Sequence, residues 1–542
     1  MYIYHFKKIK VLKKTLLALL SGFLFALAWP TYGFAGFIFI AFVPLFLVEY
    51  FSKLEINKRR GLKIFGFAYL SFFIWNALTT NWLYYSDVFG MAFAILVNSL
   101  LMALVFWVYH QISKRVQFTA SASFFVAIWL AFEELHLHWD FSWPWLNLGN
   151  VFANHTSWIQ WYEYTGSFGG SLWVLLVNLM LFKGLILFLQ HQDKHILTRT
   201  GIRFLFLIGL PILISIFIMK NLDEPVDEIE ILAVQPNIDP YAEKYNTKDA
   251  RTGQLIEKLI EDQLSSTTQL LLLPETVFAN GTRLEHYPLS QAHQFSQKLV
   301  AKHPNLAVLG GISAYDLVND EAKIHAQTNL HPNGFWYNDY NAAFFEKRES
   351  NPEFYLKSKL VVGVENFPFK SILEPILGNV MLDLGGTVAM KTTQDERSVF
   401  TTSEGVKLAP IICYESVYGE FVTGYVNNGA DVLCIMTNDA WWDETQGHKQ
   451  HWAYAKLRAI ETRRAVARSA NTGISGFIDQ DGTELKKTSY DEPTSIKANL
   501  PIYDTTTFYV THGDFIPRIT KFLLIFIFLF AVIKHKREGI KR

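Results

Sequence analysis

Three places in this 542-residue sequence hold residues that together can carry acyl-transfer chemistry. The run Ala409-Pro410-Ile411-Ile412-Cys413-Tyr414-Glu415 brings a cysteine to the end of an apolar strand, and a helical pattern from Val417 to Tyr425 follows. A strand, a sharp turn and a helix expose a nucleophile at the bend. The helix amino terminus beyond it, or a lysine nearby, favours the thiolate. Leu271-Leu272-Leu273-Pro274-Glu275 runs a second apolar strand into a carboxylate. Open α/β sheets gather ligands at the carboxyl ends of strands, and a glutamate partly withdrawn from water there can take a raised pKa and act as a general base. Tyr355-Leu356-Lys357-Ser358-Lys359-Leu360, followed by Glu365, supplies a lysine able to stabilise an oxyanion.

Each feature also has a plain reading. A strand-end glutamate can cap a turn, lysines are common on surfaces, and Glu365 can simply be solvated. Free cysteine is usually a buried structural residue, a description that fits Cys434, mid-strand between Leu433 and Ile435. With only these two cysteines a disulfide framework and a Cys-rich zinc site are excluded. His448 and His451 could suggest a ligand pair, but hydrogen-bonded structural roles are expected, and no metal or cofactor is implied.

The strands that must position these residues lie between Ile229 and Thr437: Ile229–Val234, Leu270–Leu273, Ala307–Gly311, Val406–Cys413 and Ala430–Thr437, with helical patterns at 250–264, 288–302 and 448–468. Buried strands alternating with helices argue for an α/β domain built on sheet layers. The rest of the chain is of another kind. Hydrophobic residues make up 50% and charged residues 18%, which points to a membrane protein. The net charge of zero gives no hint of nucleic acid. Apolar runs near 11–30, 34–52, 63–80, 88–109, 118–135, 167–190, 202–219 and 519–534 predict about eight membrane helices. The first could instead be a signal peptide, with its basic lead and Ala26-Leu27-Ala28, but the charge alternation works best if it stays.

Lys and Arg crowd the amino terminus (Lys7, Lys8, Lys10, Lys13, Lys14), the loop 53–63, the loop 110–117, the stretch 191–203 and the carboxyl end, whereas the loops near 30–34, 81–87 and 136–160 have none. By the positive-inside rule both termini are cytoplasmic and the segment between the seventh and eighth spans lies on the outer face. The expected division is residues 1–221 with seven transmembrane helices, 222–510 as an extracytoplasmic domain, and 511–542 with the last helix and a cytoplasmic tail. The segment Phe367, Phe369, Ile372, Leu373, Ile376, Leu377, Val380, Met381, Leu382 is unusually apolar for a loop region. It is expected to dip toward lipid as a mobile arm, hinged at Gly378, Gly385 and Gly386; ordinary packing against the sheet is the alternative.

A Glu, a Lys and a Cys in this order, each tied to a strand or the loop after it, resemble the nitrilase (carbon–nitrogen hydrolase) superfamily. Val234-Gln235-Pro236-Asn237, Asn438-Asp439-Ala440-Trp441-Trp442 and the stretch Gln450 to Arg468 ending in Asn471-Thr472-Gly473 extend the likeness. With membrane helices on both sides, and with Asn81-Trp82, Trp143-Pro144-Trp145-Leu146-Asn147-Leu148-Gly149 and Gly169-Gly170-Ser171-Leu172-Trp173, nearly the whole chain resembles the apolipoprotein N-acyltransferases.

The resemblance implies an αββα sandwich facing the periplasm of a bacterial inner membrane. It implies Glu275 as general base, Lys357 as the lysine that stabilises the intermediate and Cys413 as nucleophile, with Glu365, Tyr414 and Glu415 supporting the site. It implies a phospholipid acyl donor and a diacylated apolipoprotein acceptor; a monomer is expected. Two departures stand out. Lys244-Tyr245 replaces a common Lys-Trp, and Leu360-Val361-Val362-Gly363-Val364-Glu365 lacks the usual Pro-Phe-Gly before the glutamate. Two rival readings are a membrane-tethered amide hydrolase, with water as acceptor at the same site, and a transporter or sensor with an outer binding domain.

Overall fold

The computed structural model describes residues 11–55, 59–377, 381 and 388–540. Lys7, Lys8, Lys10, Lys58, Val380, Leu382, Gly378, Gly385, Gly386, Lys541 and Arg542 lie outside the described residues, as do the side chains of Leu373, Ile376, Leu377, Lys534, Lys536 and Arg537.

Eight helices among the described residues are long and apolar enough to cross a membrane: Val11–Ala28, Ala35–Lys53, Arg60–Tyr85, Val88–Ser113, Phe118–His138, Tyr162–His191, Lys194–Met219 and Phe515–Ile533. They match the eight apolar runs, except that Lys194–Met219 begins a basic turn or two before the expected 202. The first span packs into the bundle. Phe25 stacks on Trp75 at 4.5 Å, and Lys14 pairs with Glu55 at 2.9 Å. Outward positions of Lys194–Met219 carry Leu205, Phe206, Leu213 and Phe217, all exposed, as a lipid-facing surface requires.

The α/β region holds two sheets. In chain order the strands are β1 (Asp227–Gln235), β2 (Leu270–Leu272), β3 (Phe278–Arg283), β4 (Ala307–Val318), β5 (Asn329–Leu330), β6 (Trp336–Lys347) and β7 (Glu353–Leu356). They continue as β8 (Phe400–Thr401), β9 (Lys407–Ile412), β10 (Val432–Thr437), β11 (Ala465–Ala470), β12 (Gly476–Ile478), β13 (Glu484–Lys487) and β14 (Thr494–Ile502). The first sheet runs β14-β1-β2-β4-β6-β5, with β3 on β4 and β7 on β6; the second runs β13-β12-β11-β10-β9-β8. β1, β2 and β4 are mutually parallel neighbours, as are β9, β10 and β11.

Side chains alternate across a strand, and the alternation builds the layers. Ile231, Ala233, Leu272 and Leu309 join the core shared with the second sheet, whereas Leu232, Val234, Leu271 and Val308 pack with Ile256 and Leu299 of the helices Asp249–Ile260 and Gln291–Lys302. The helices Gly419–Asn427 and Gln446–Thr462 cover the second sheet, which completes an αββα sandwich.

One expected element is corrected. The helical pattern at 448–468 ends at Thr462, and Ala465–Ala470 is instead β11, paired in parallel with β10. Arg463 stops the helix in the left-handed region at φ 50°. Its guanidinium is held by Gln160, Glu163 and the Gln480 carbonyl. Strand pairing with burial of every residue of β11 outweighs the helix preference of its alanines.

The helix Gln446–Thr462 also ties the sandwich to the spans. Gln450 accepts from the indoles of Trp82 and Trp145 at 3.3 and 2.7 Å, and Tyr454 accepts from Trp29 at 3.1 Å. Of the apolar segment expected to form an arm, Lys370–Leu377 is a short helix. Phe369 donates its backbone N–H to Asp140 at 2.8 Å, and its ring meets Phe141 at 5.6 Å. Ile372 is exposed.

Candidate active site

Glu275 follows β2 immediately beyond Leu273-Pro274, in a turn where Thr276 has φ 44°. Gly311 on β4 makes room for this turn. A Cβ there would lie 2.2 Å from the Thr276 nitrogen and 2.7 Å from the Glu275 Cα. Lys357 follows β7, and its backbone N–H donates to the Asn341 carbonyl on β6 at 2.9 Å. Cys413 follows β9 directly with φ 49°, a left-handed conformation in a non-glycine residue. That is the sharp strand-to-helix bend the sequence suggested, although the residues after it form a short 3-10 turn, Cys413–Val417, before the helix proper begins at Gly419.

The three side chains line one cavity. The Lys357 ammonium donates to Glu275 at 2.9 Å and to Glu365 at 3.0 Å. Asn341 Nδ2 donates to the same two carboxylates, 2.8 Å to each. The loop that lacks Pro-Phe-Gly still delivers Glu365. Gly363 turns at φ 80°, its N–H donates to the Asn366 carbonyl at 2.9 Å, and the Val361 N–H donates to Glu365 Oε2 at 2.9 Å.

Tyr414 and Glu415 hold the bend from both sides. Glu415 accepts from the Ile412 N–H at 2.7 Å, the Ser358 N–H at 2.7 Å and the Tyr355 hydroxyl at 2.6 Å, so one buried carboxylate joins the cysteine turn to the lysine loop. Burial raises its pKa to about 7, against the pull of those donors. The Tyr414 hydroxyl donates to the Ser142 carbonyl at 3.1 Å, which ties the cysteine turn to the loop after the span Phe118–His138.

The charges at the centre differ from the sequence expectation. Burial pushes the Glu275 carboxyl up as foreseen, but Lys357 and then Lys244 outweigh it and hold the acid below its usual range. Burial draws Lys357 down, yet Glu275 and Glu365 push it well above the usual lysine value. Burial, reinforced by Glu275 and only partly opposed by Lys357, pushes the Cys413 thiol far up, against the pull toward the thiolate expected of a helix amino terminus or a nearby lysine. These directions favour a thiol at Cys413, a carboxylate at Glu275 and an ammonium at Lys357 at rest.

Sequence reasoning passed over two groups. Asn341 is one. The other is Ser416, the link between the cysteine and a buried chain behind it. The Ser416 hydroxyl donates to the Cys413 carbonyl at 2.7 Å, and His451 Nε2 lies 2.9 Å from that hydroxyl. His451 Nδ1 lies 3.0 Å from Asp439, which Arg468 pairs at 2.7 Å. His451 thus has the hydrogen-bonded role expected of it. His448 does as well, with Nδ1 3.3 Å from the Asp443 carbonyl and its ring 4.4 Å from that of Tyr490. Cys434 is fully buried in β10, as read from the sequence.

The cavity has a volume of about 560 Å3. Its lining also includes Phe89, Phe93, Val97 and Leu101, at helical spacing on the membrane-length helix Val88–Ser113, and Phe367 and Met381 of the apolar segment. The arrangement can therefore admit a long apolar substrate to a thiol, a base and a cation.

The carbon–nitrogen hydrolase family model matches residues 231–508, just over half of the chain. The model of the apolipoprotein N-acyltransferase N-terminal domain matches residues 21–180. The apolipoprotein N-acyltransferase of Chlorobaculum tepidum is 28% identical over 522 residues, 94% of this chain and 94% of its own. Apolipoprotein N-acyltransferase 1 of Treponema denticola is 28% identical over 557 residues, 97% of this chain and 98% of its own. The apolipoprotein N-acyltransferase of Thermotoga maritima is 24% identical, covering 97% and 95%.

Proposed function

We propose that this chain, which belongs to the carbon–nitrogen hydrolase family, transfers a fatty acyl group from a phospholipid to the terminal amine of a diacylated lipoprotein through a thioester on Cys413. The names of its relatives support lipoprotein N-acylation. One observation carries the lipid reading. The cavity that holds Glu275, Lys357 and Cys413 is continued by the lining of a membrane-length helix. A small soluble amide needs no such wall. A lipid-anchored substrate does, because pulling its chain into water costs about 0.8 kcal/mol per methylene.

The steps follow from the charges. Glu275, ionised at rest, takes the Cys413 proton as the sulfur attacks the ester carbonyl. The Lys357 ammonium meets the oxyanion as it forms, where such stabilisation is strongest. Collapse expels the lysophospholipid alkoxide, which takes the proton from Glu275, and a thioester remains. The lipoprotein α-amine then attacks the thioester and gives a proton to Glu275. The amide leaves, and the thiolate is reprotonated by Glu275. In this reading the chain divides into residues 1–221, 222–510 and 511–542, the sandwich lies on the periplasmic side of the inner membrane with both termini cytoplasmic, and the reaction takes place where lipid-anchored lipoproteins are exposed. Glu365, Tyr414 and Glu415 act as positioning residues.

The test is mass spectrometry of a diacylated lipopeptide incubated with the purified full chain and a phospholipid. A gain of one acyl group on the peptide amine is expected. Release of free fatty acid with the peptide unchanged would mean that water, not the amine, accepts the acyl group, and that the site is a hydrolase.

Two further outcomes follow. Because the base is held below its usual range and the thiol far above its own, acyl-enzyme formation should be flat from about pH 5 to about pH 8. It should fall only in acid, as Glu275 protonates, with no rise near the ordinary thiol pKa; a rate that climbs through that range would mean a free thiolate attacks. Gly311→Ala should cut acyl-enzyme formation about a hundredfold by displacing the Glu275 turn. A thermal midpoint measured alongside separates this from unfolding, and an unchanged rate would remove Glu275 as the base.

A further inference from the structure

Three lysines are buried among the described residues, and two of them are paired. Lys14 bonds to Ser52 and Glu55, and Lys357 to its two glutamates. Lys244 is the third. Only 7% exposed, it lines the same cavity as Cys413, yet its ammonium has no hydrogen-bond or ion-pair partner among the described residues. Its contacts are the rings of Tyr245 and Trp441, with centroids at 5.7 and 5.9 Å. The side chain's base is fixed, since the Lys244 N–H donates to the Asp239 carbonyl at 2.8 Å and the Asp239 carboxylate accepts from the Tyr241 and Ala242 N–H groups.

We propose that Lys244 binds the phosphodiester of the phospholipid donor while Cys413 attacks one of its esters. This rests on the acyl-transfer reading above. A buried charge is expensive unless something pairs it, so a cation kept unpaired in a substrate cavity is suited to an anion that arrives with the substrate. Every glycerophospholipid carries such an anion. Its phosphodiester sits on the same glycerol as the ester under attack, a few bonds from the reacting carbonyl. The diacylglyceryl-cysteine acceptor has no phosphate, so the contact also tells donor from acceptor. A lysine is a point charge rather than a fork, and it recognises the phosphate without fixing what lies beyond it. Burial lowers its pKa to about 8, Glu275 opposing, which leaves it a cation at neutral pH.

The experiment compares two donors with identical acyl chains, dipalmitoyl phosphatidylglycerol and phosphate-free dipalmitoylglycerol. Acyl-enzyme formed by the full chain in detergent is read by intact mass. The native protein should prefer the phospholipid. Lys244→Met should lower phospholipid use about 10- to 100-fold and bring the ratio of the two donors toward one, and Lys244→Arg should restore much of the preference. An equal loss on both donors, a native protein that does not distinguish them, or an unchanged ratio in Lys244→Met would overturn the proposal. A native protein that forms acyl-enzyme from neither donor would instead overturn the acyl-transfer reading on which it stands.

Discussion

Cys413→Ala is expected to abolish acyl-enzyme formation and lipopeptide acylation together, with the transfer rate falling to background, a loss of about 10⁴-fold or more. The expectation is this strong because neither the other cysteine nor the nearest serine can stand in for it. Cys434 is fully buried in the middle of β10, away from the cavity lining. Ser416 points its hydroxyl into the backbone of the cysteine turn. Cys413→Ser should not rescue the reaction. A carboxylate held below its usual range is too weak a base for an alcohol, whereas a thiol in the same field needs far less help. Cys434→Ala should leave transfer within a few-fold of native and cost about 1 kcal/mol of stability through lost packing. Mass spectrometry of the peptide and of the intact protein reads all three variants. Activity surviving in Cys413→Ala would mean that the nucleophile lies elsewhere.

What the sequence disclosed and what it withheld divide along physical lines. The eight spans were legible because a bilayer imposes a long, local and unmistakable pattern. Cys413, Glu275 and Lys357 were legible because each ends or follows a strand, and strand ends gather sites. Asn341 was not. It sits within β6 between Tyr340 and Ala342, and its importance comes from contacts 66 and 24 residues away in the chain. The strand β11 was hidden because Ala465, Ala467 and Ala470 read as helix until β10 lies beside them.

The direction of the Glu275 shift was misjudged for a related reason. Desolvation can be guessed from an apolar neighbourhood, but the opposing field of two lysines 31 residues before and 82 after it cannot. Only the fold sets Lys357 on that carboxylate and brings Lys244 near enough for its charge to act on it. The loop at 360–365 lacks the Pro-Phe-Gly usual before the glutamate, yet Glu365 reaches Lys357. Gly363 and the Val361 N–H supply by another route the turn that Pro-Phe-Gly would have made.

Lys357→Met is expected to have the second-largest effect, and its pH dependence carries more information than its size. In the native protein the Lys357 ammonium stands between Glu275 and Glu365. Glu275 therefore contributes stability that is present above the ordinary carboxylate range and lost as pH falls through its depressed value. Without the lysine, Asn341 still donates to both carboxylates, but like charges and burial now act in the same direction and one of the two must hold a proton. The shared acid pKa rises. The variant's stability should be greatest in acid and fall as pH rises through that raised value, the reverse of the native trend.

The base is then protonated where the native enzyme works, and the oxyanion has lost its cation. Acyl-enzyme formation should drop by about 10³- to 10⁴-fold, since one oxyanion donor alone accounts for about 10²- to 10³-fold, and the residual rate should increase with pH. Glu365→Gln removes one negative charge and leaves Lys357 on Glu275, so it should lose far less and keep the flat native profile. The pH profile of acyl-enzyme formation in the two variants checks this. A Lys357→Met profile parallel to the native one would mean that the lysine neither sets the base nor meets the oxyanion, and that the charge balance of Glu275, Lys357 and Glu365 is structural rather than part of the reaction.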